Sequence, residues 1–170
     1  MTKLGDYCYD PREKHPHSIT VNGDLNPFSF LTTYLHEVAH LRTQVLHGSR
    51  VKAHGEEWKE EYRKLLAPLV NEDVFPSALL DAIKNYIANP KASSCADIDL
   101  LKALSEYDEK RDNLIFLSEV KVGMIFKFNG YAYRKESTLR TRALCKEVKS
   151  GRQFYISEGA QVEISQLTLF

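Results

Sequence analysis

The feature that most constrains this chain is His36-Glu37-Val38-Ala39-His40, an H-E-x-x-H motif inside a helical pattern. Asn26 and Pro27 are typical of a helix start, and apolar residues follow at helical spacing until Gly48. Residues four apart share one helix face, so both imidazoles can bind one tetrahedral zinc ion. Glu37 would then face a water molecule at the metal and accept its proton. The motif therefore predicts hydrolytic zinc chemistry. The alternative is that the two histidines share a helix face and bind no metal.

A catalytic zinc site of this type needs a third protein ligand and leaves the fourth position open. His47 fails the short-spaced H-E-x-x-H-x-x-G-x-x-H pattern, because Thr43 and Leu46 stand where glycine and histidine are required. His54 lies in a loop, and Gly55 after it allows the loop to fold back over the helix. We favour His54 as the third ligand. The other candidates are glutamates downstream of the motif: Glu57, Glu60, Glu61 and Glu72.

The residues around the motif resemble the SprT-like zinc metallopeptidase family, which includes bacterial SprT proteins and the Spartan protease. The centre of the resemblance is H-E-x-x-H followed by His54-Gly55 and then Trp58, and the resemblance spans residues 4–70. Its flanking segments are Leu4-Gly5-Asp6-Tyr7, Ile19-Thr20-Val21-Asn22, Leu25-Asn26-Pro27 and Leu65-Leu66. The sequence lacks the C-x-x-C zinc ribbon with which many members end.

The resemblance implies a fold, a cofactor and an activity. We expect an α+β chain whose zincin-like helical metalloprotease core carries a short N-terminal β element. Zn²⁺ would be bound by His36, His40 and His54, with Glu37 as the catalytic residue. The enzyme would be a zinc metalloendopeptidase acting on proteins or peptides, and on DNA-associated proteins by analogy with Spartan. The rival interpretations are a nucleic-acid-binding protein with a structural or weakly active zinc site, and a metal hydrolase with a substrate other than protein.

The chain changes character near residue 110, which predicts two domains, 1–110 and 111–170. The first has a β-like stretch at 17–22 and, after the motif helix, further helical patterns near 56–66, 76–89 and 98–107. After a charged linker at 108–113, the apolar period changes toward two. We predict a small antiparallel, barrel-like β module with these strands: 122–128, 131–135, 142–148, 153–156 and 161–164. Asn129-Gly130 and Ser150-Gly151 are typical of hairpin turns.

The charge is unevenly distributed along a chain whose formal net charge is zero. Residues 120–152 hold nine Lys and Arg against two Glu, whereas residues 56–119 hold eight against fourteen Asp and Glu. Cations interleaved with aromatic residues can bind phosphates and stack bases, which makes DNA a candidate partner of the basic module. The alternative is that the module braces the acidic helical part.

Composition excludes several other classes of protein. Hydrophobic residues make up 43% and charged residues 27%, the balance of a globular chain. No apolar run approaches the roughly 20 residues that span a bilayer, so we predict no membrane partner. Three distant cysteines without a C-x-x-C pair, and the absence of an apolar stretch after Met1, favour the cytoplasm. The oligomeric state stays open.

Overall fold

The computed structural model of the protein describes residues 3–91, 97–109 and 113–164. The chain divides into two compact units, Met1–Glu109 and Lys110–Phe170. The fold is α+β, as predicted: the described residues form four α-helices and two antiparallel sheets, one with two strands and one with six. Part of the linker expected at 108–113 lies outside the described residues. Among the described helices, none is long and apolar enough to cross a membrane.

The first unit contains a β-hairpin and four helices. Their bounds are β1 Gly5–Tyr9, β2 His17–Val21, α1 Pro27–His47, α2 Glu56–Leu66, α3 Ser77–Ala88 and α4 Ile98–Ser105. Single turns of 3-10 helix follow α1 at Gly48–Arg50 and α2 at Ala67–Leu69. The expected helices are all present, whereas β1 was missed by the sequence analysis because it has no clean apolar alternation.

Asn26 fixes the start of the long helix α1. Its side-chain oxygen accepts the backbone N–H of Phe28 at 3.1 Å and of Ser29 at 2.9 Å, as an N-cap residue does. Its amide nitrogen donates to the carbonyl oxygen of Leu104 at 3.0 Å and to Asp108 Oδ1 at 2.6 Å. One buried side chain therefore both caps α1 and ties it to the end of α4.

The core of the first unit lies among the four helices. Its fully buried large side chains are Trp58, Tyr62, Leu66, Phe75, Leu79, Ile83 and Leu100. Glu61 of α2 is also buried, and its carboxylate accepts from Arg42 Nε on α1 at 2.6 Å and from Lys64 Nζ at 2.9 Å. Because a buried carboxylate needs partners, this pair fixes α2 along α1.

The second unit is a single antiparallel sheet with the strand order β3-β8-β4-β5-β6-β7. The strands are β3 Leu114–Phe116, β4 Ile125–Phe128, β5 Tyr131–Thr138, β6 Arg142–Glu147, β7 Gln153–Ser157 and β8 Gln161–Ile164. The sequence analysis missed β3, whose three residues are too few to show a period. Side chains on the inner face form a second core that includes Phe126, Tyr133, Cys145 and Val162.

Lys135 does not belong to the exposed basic surface that the charge pattern suggested. It is 2% exposed, and its Nζ donates to Glu158 Oε2 at 2.9 Å and to the carbonyl oxygen of Leu117 at 2.8 Å. The alternation of β5 places it on the same inner side as Tyr133. The other eight cations of residues 120–152 are exposed.

Candidate metal centre

Three histidines from two segments converge on one point. His36 and His40 lie one turn apart on α1, and their Nε2 atoms are 3.2 Å apart. His54 Nε2 lies 3.2 Å from that of His36 and 2.9 Å from that of His40. A metal ion can be held by His, Cys, Asp or Glu side chains that lie close together. Within the described part of the chain, these three histidines form such a group.

The triad fits a tetrahedral metal ion. Nitrogens bound at about 2.0–2.1 Å in tetrahedral geometry would stand about 3.3 Å from one another, close to the distances found here. Burial lowers the pKa of His36 to about 3, helped by His40 and His54, and lowers that of His40 to about 4, helped by His54 and opposed by Asp6. Burial also lowers the pKa of His54. At neutral pH all three imidazoles are therefore uncharged, as metal ligands must be.

A tight turn places His54 over α1. The backbone N–H of Gly55 donates to the carbonyl oxygen of Lys52 at 2.8 Å, which closes the turn immediately before α2 begins. His54 has a φ of +58°, in the left-handed region that non-glycine residues seldom adopt. Such conformations persist where the surrounding structure enforces them, often at functional sites. A Cβ at position 55 would come within 2.9 Å of the Lys52 oxygen, so this turn requires glycine there.

Trp58 forms the floor of the triad. Its ring is fully buried, with centroids 4.6 Å from His36, 5.4 Å from His40 and 4.8 Å from His54. It also stacks on Tyr62, at 5.2 Å and an interplanar angle of 9°. The three imidazoles are thereby held against one rigid surface.

Glu37 lies beside the triad and beneath strand β1. It is 7% exposed, and burial raises its pKa to about 6, with Asp6 acting in the same direction and Lys3 and the Tyr7 amide opposing. A Cβ on Gly5 would come within 3.0 Å of Glu37 Oε1, so β1 can pass this close only with glycine at position 5. The carboxylate therefore occupies a confined, poorly solvated position and can hold a proton near neutral pH.

A cleft of about 760 Å³ opens at the triad. It is lined on the β1 side by residues 3–7 and on the other by the segment 48–54, and Glu37 and all three histidines contribute to it. This volume is in the range of pockets that hold a small ligand or a short stretch of a larger one. The site is thus accessible to a substrate.

The other candidate ligands lie away from the triad. His47 is exposed. Among the described residues, the ligand atoms that lie within 4.8 Å of one another belong to the three histidines, and this group does not include Glu57, Glu60, Glu61 or Glu72. Glu61 is instead paired with Arg42.

Tyr7 and His17 border the site, a position that the sequence analysis did not predict for them. The Tyr7 ring lies parallel to His40 at a centroid distance of 6.3 Å, and its hydroxyl is hydrogen-bonded to His17 Nδ1 at 2.8 Å. Their spacing on the two sides of a hairpin becomes informative once β1 is known to be a strand.

We compared the chain with models of known protein families, with curated proteins and with solved structures. None of these comparisons gave a match.

Proposed function

We propose that this protein is a zinc-dependent metalloendopeptidase of the SprT-like kind. The observation that carries the proposal is the convergence of three imidazole Nε2 atoms within 3.2 Å of one another, next to a buried glutamate and open to a cleft. Three nitrogen ligands with an accessible fourth position are typical of catalytic rather than structural zinc. In this proposal the first unit is a zincin-like core and the sheet of the second is a barrel-like module.

The residues of the site divide the chemistry between them. Zinc bound at the triad would polarise a peptide carbonyl and lower the pKa of water toward about 7. Glu37 accepts the proton of the attacking water and returns it to the leaving amine, and its pKa of about 6 suits both steps near neutral pH. Trp58 keeps the three imidazoles in place, and strand β1 shields Glu37 from solvent.

The substrate class we propose is protein or peptide, in the cytoplasm, with DNA as a further partner of the second unit. The cleft can accept an extended chain past Glu37. Between residues 113 and 164 the second unit presents eight exposed cations, and none of them forms an ion pair with another described residue.

Glu37→Gln is the most informative variant for the chemistry. It preserves the size of the side chain and removes the base, so zinc content should be unchanged while hydrolysis falls by roughly 10²–10⁴-fold. Cleavage of an unfolded protein, alone and bound to DNA, is followed for the two zinc-loaded proteins. Glu72→Gln, a surface glutamate outside the triad, is the matched control and should cleave like the wild type. Equal cleavage by the Glu37 variant would exclude the proposed mechanism.

The second candidate function is nucleic-acid binding with a structural or weakly active zinc site. The eight exposed cations between residues 113 and 164 favour it. If neither the wild type nor the Glu37 variant cleaves any substrate while both retain zinc, this candidate replaces the first.

A further inference from the structure

The sheet of the second unit has an outer face that its core does not use. Because side chains alternate along a strand, residues next to the buried Phe126, Tyr133, Cys145 and Ile156 point the other way. We call the resulting surface on β5, β6 and β7 the outer face. It comprises Ala132, Arg134, Ser137, Arg142, Leu144, Lys146, Gln153, Tyr155 and Ser157.

Two cations stand directly opposite each other on the outer face. Arg134 of β5 is the register partner of Lys146 of β6, and both side chains are exposed. Like charges in directly opposed positions destabilise a sheet. Neither cation forms an ion pair with another residue of the described ranges. An anion from outside the chain would relieve this repulsion.

An exposed aromatic ring lies beside this pair. Tyr155 of β7 is 62% exposed and is the register partner of Leu144 on β6. Arg142 and Lys146 are two residues on either side of Leu144, so they occupy the two diagonal positions next to Tyr155. Diagonal neighbours in an antiparallel sheet are within about 7–8 Å, in reach of long side chains. The outer face thus presents a ring between two cations.

In the described part of the chain, no carboxylate forms an ion pair with Arg134, Arg142 or Lys146. Glu147 is the register partner of Tyr133, on the inner side, and is hydrogen-bonded to Ser150 Oγ. Glu136 is the unpaired residue of the bulge between Lys135 and Ser137. The positive charge of Arg134, Lys146 and Arg142 is therefore available to a ligand.

We propose that the outer face binds a single strand of nucleic acid, with phosphates at Arg134, Lys146 and Arg142 and a base stacked on Tyr155. Unpaired bases expose the faces that stack on an aromatic ring, whereas the bases of a duplex are stacked on one another. This proposal deepens the DNA partnership proposed above. It does not depend on the metal centre or on peptidase activity.

The charge part is tested by fluorescence anisotropy with the full chain and a labelled oligothymidylate, over a series of salt concentrations. Arg134→Thr with Lys146→Thr should weaken binding and reduce the slope of log affinity against log salt by about 1.4, from about 0.7 for each lost phosphate contact. The matched control is Lys121→Thr with Lys149→Thr, which removes the same charge from turns outside the outer face. Equal losses in the two double variants would overturn the proposal in favour of a diffuse electrostatic attraction.

The stacking part has its own matched pair. The side chain of Tyr131 is 58% exposed, similar to that of Tyr155. Tyr131 lies on the inner side of the sheet, as Tyr133 does, and is the register partner of Phe128. Tyr155→Thr should lower the affinity about fivefold or more, the smallest effect expected for the loss of one stacked base, and Tyr155→Phe should retain it. Tyr131→Thr should bind like the wild type. An unchanged affinity of Tyr155→Thr would contradict the assigned surface.

Two further ligands separate the alternatives. A duplex of the same length should bind more weakly than the single strand, and vesicles containing phosphatidylserine should show no dependence on Tyr155. Preference for the duplex, or stronger binding to the vesicles, would overturn the single-strand assignment. Circular dichroism and zinc content of each variant are measured in parallel. Because these variants leave the triad intact, loss of binding with unchanged zinc and cleavage separates this proposal from the proposed peptidase activity.

Discussion

Gly5 lies so close to Glu37 that no larger residue fits at position 5. A Cβ there would stand 3.0 Å from Glu37 Oε1 and 2.7 Å from Thr33 Cγ2. Strand β1 therefore passes over α1 at backbone distance, at the residue proposed as the general base. The contact explains how a carboxylate near the surface of a small unit becomes buried enough for its pKa to rise to about 6.

Gly5→Ala should force β1 away from α1. We expect a loss of about 1–3 kcal/mol in the free energy of unfolding, the usual effect of an added methyl group in a close-packed contact, and a lower pKa for the re-solvated Glu37. Urea denaturation measures the first and the pH profile of cleavage the second. Gly23→Ala is the control, since a Cβ at position 23 meets nothing within 4 Å.

Thr33→Ser provides a rescue for this prediction. It removes the Cγ2 methyl that makes the shortest contact with a Cβ at position 5. The double variant Gly5→Ala with Thr33→Ser should recover part of the lost stability. If Gly5→Ala and Gly23→Ala have the same free energy of unfolding, β1 does not pass as close to α1 as described here.

His54→Asn should separate metal binding from stability. Asparagine tolerates a positive φ better than other non-glycine residues, so the turn at φ +58° should form at least as readily as in the wild type. Zinc content should nevertheless fall sharply, because one of three ligands is lost. His47→Asn, on the exposed end of α1, should retain its zinc. Full zinc retention in the His54 variant would remove this residue from the site.

The stability of the metal-free protein should fall in acid. Burial lowers the pKa of His36 to about 3 and that of His40 to about 4, whereas both titrate near 6.5 in an unfolded chain. Their contribution is therefore complete above pH 6.5 and is lost as the pH falls through 4. Glu37 acts in the opposite sense, since its raised pKa contributes stability that is lost as the pH rises through 6.

The histidines outnumber this glutamate, so the net free energy of unfolding should decrease between pH 6.5 and 4. Urea denaturation of chelator-treated protein at several pH values measures the effect. The variant His36→Asn with His40→Asn should show a flatter pH dependence. An equally steep loss in that variant would assign the acid sensitivity to other groups.

Asn26→Asp should destabilise the first unit by about 2 kcal/mol. The aspartate can still cap α1, but it cannot donate to the Leu104 carbonyl oxygen, and it places a second carboxylate beside Asp108. Asn22→Asp is the control, because Asn22 uses only its side-chain oxygen, which accepts from the Asp24 backbone N–H. Thermal unfolding compares the two, and similar melting temperatures would contradict the coupling of α1 to α4 through Asn26.

The features that could be predicted from the sequence are those with a local cause. The cap at Asn26 and the proline after it define where α1 begins, and the i,i+4 spacing of His36 and His40 places them on one face. His54 was predicted because a glycine follows it. The position of α2 beside α1 then brings His54 to the other two.

The features that could not be predicted depend on tertiary contacts. Strand β1 has no alternating pattern, because Gly5 is selected by its approach to α1 rather than by the period of a strand. Lys135 resembles the other cations of its segment in sequence, and only its pairing with Glu158 inside the sheet distinguishes it. The ion pair of Arg42 with Glu61 joins two different helices, so no local pattern in the sequence indicates it.

The central claim is an open three-histidine zinc site, and anomalous scattering at the zinc absorption edge from crystals of the purified protein tests it most directly. The account predicts one strong peak at about 2.0–2.1 Å from the Nε2 atoms of His36, His40 and His54, with a fourth ligand that is not a protein atom. A peak with four protein ligands would indicate structural zinc and contradict the account. So would a zinc-soaked crystal with no peak at the triad.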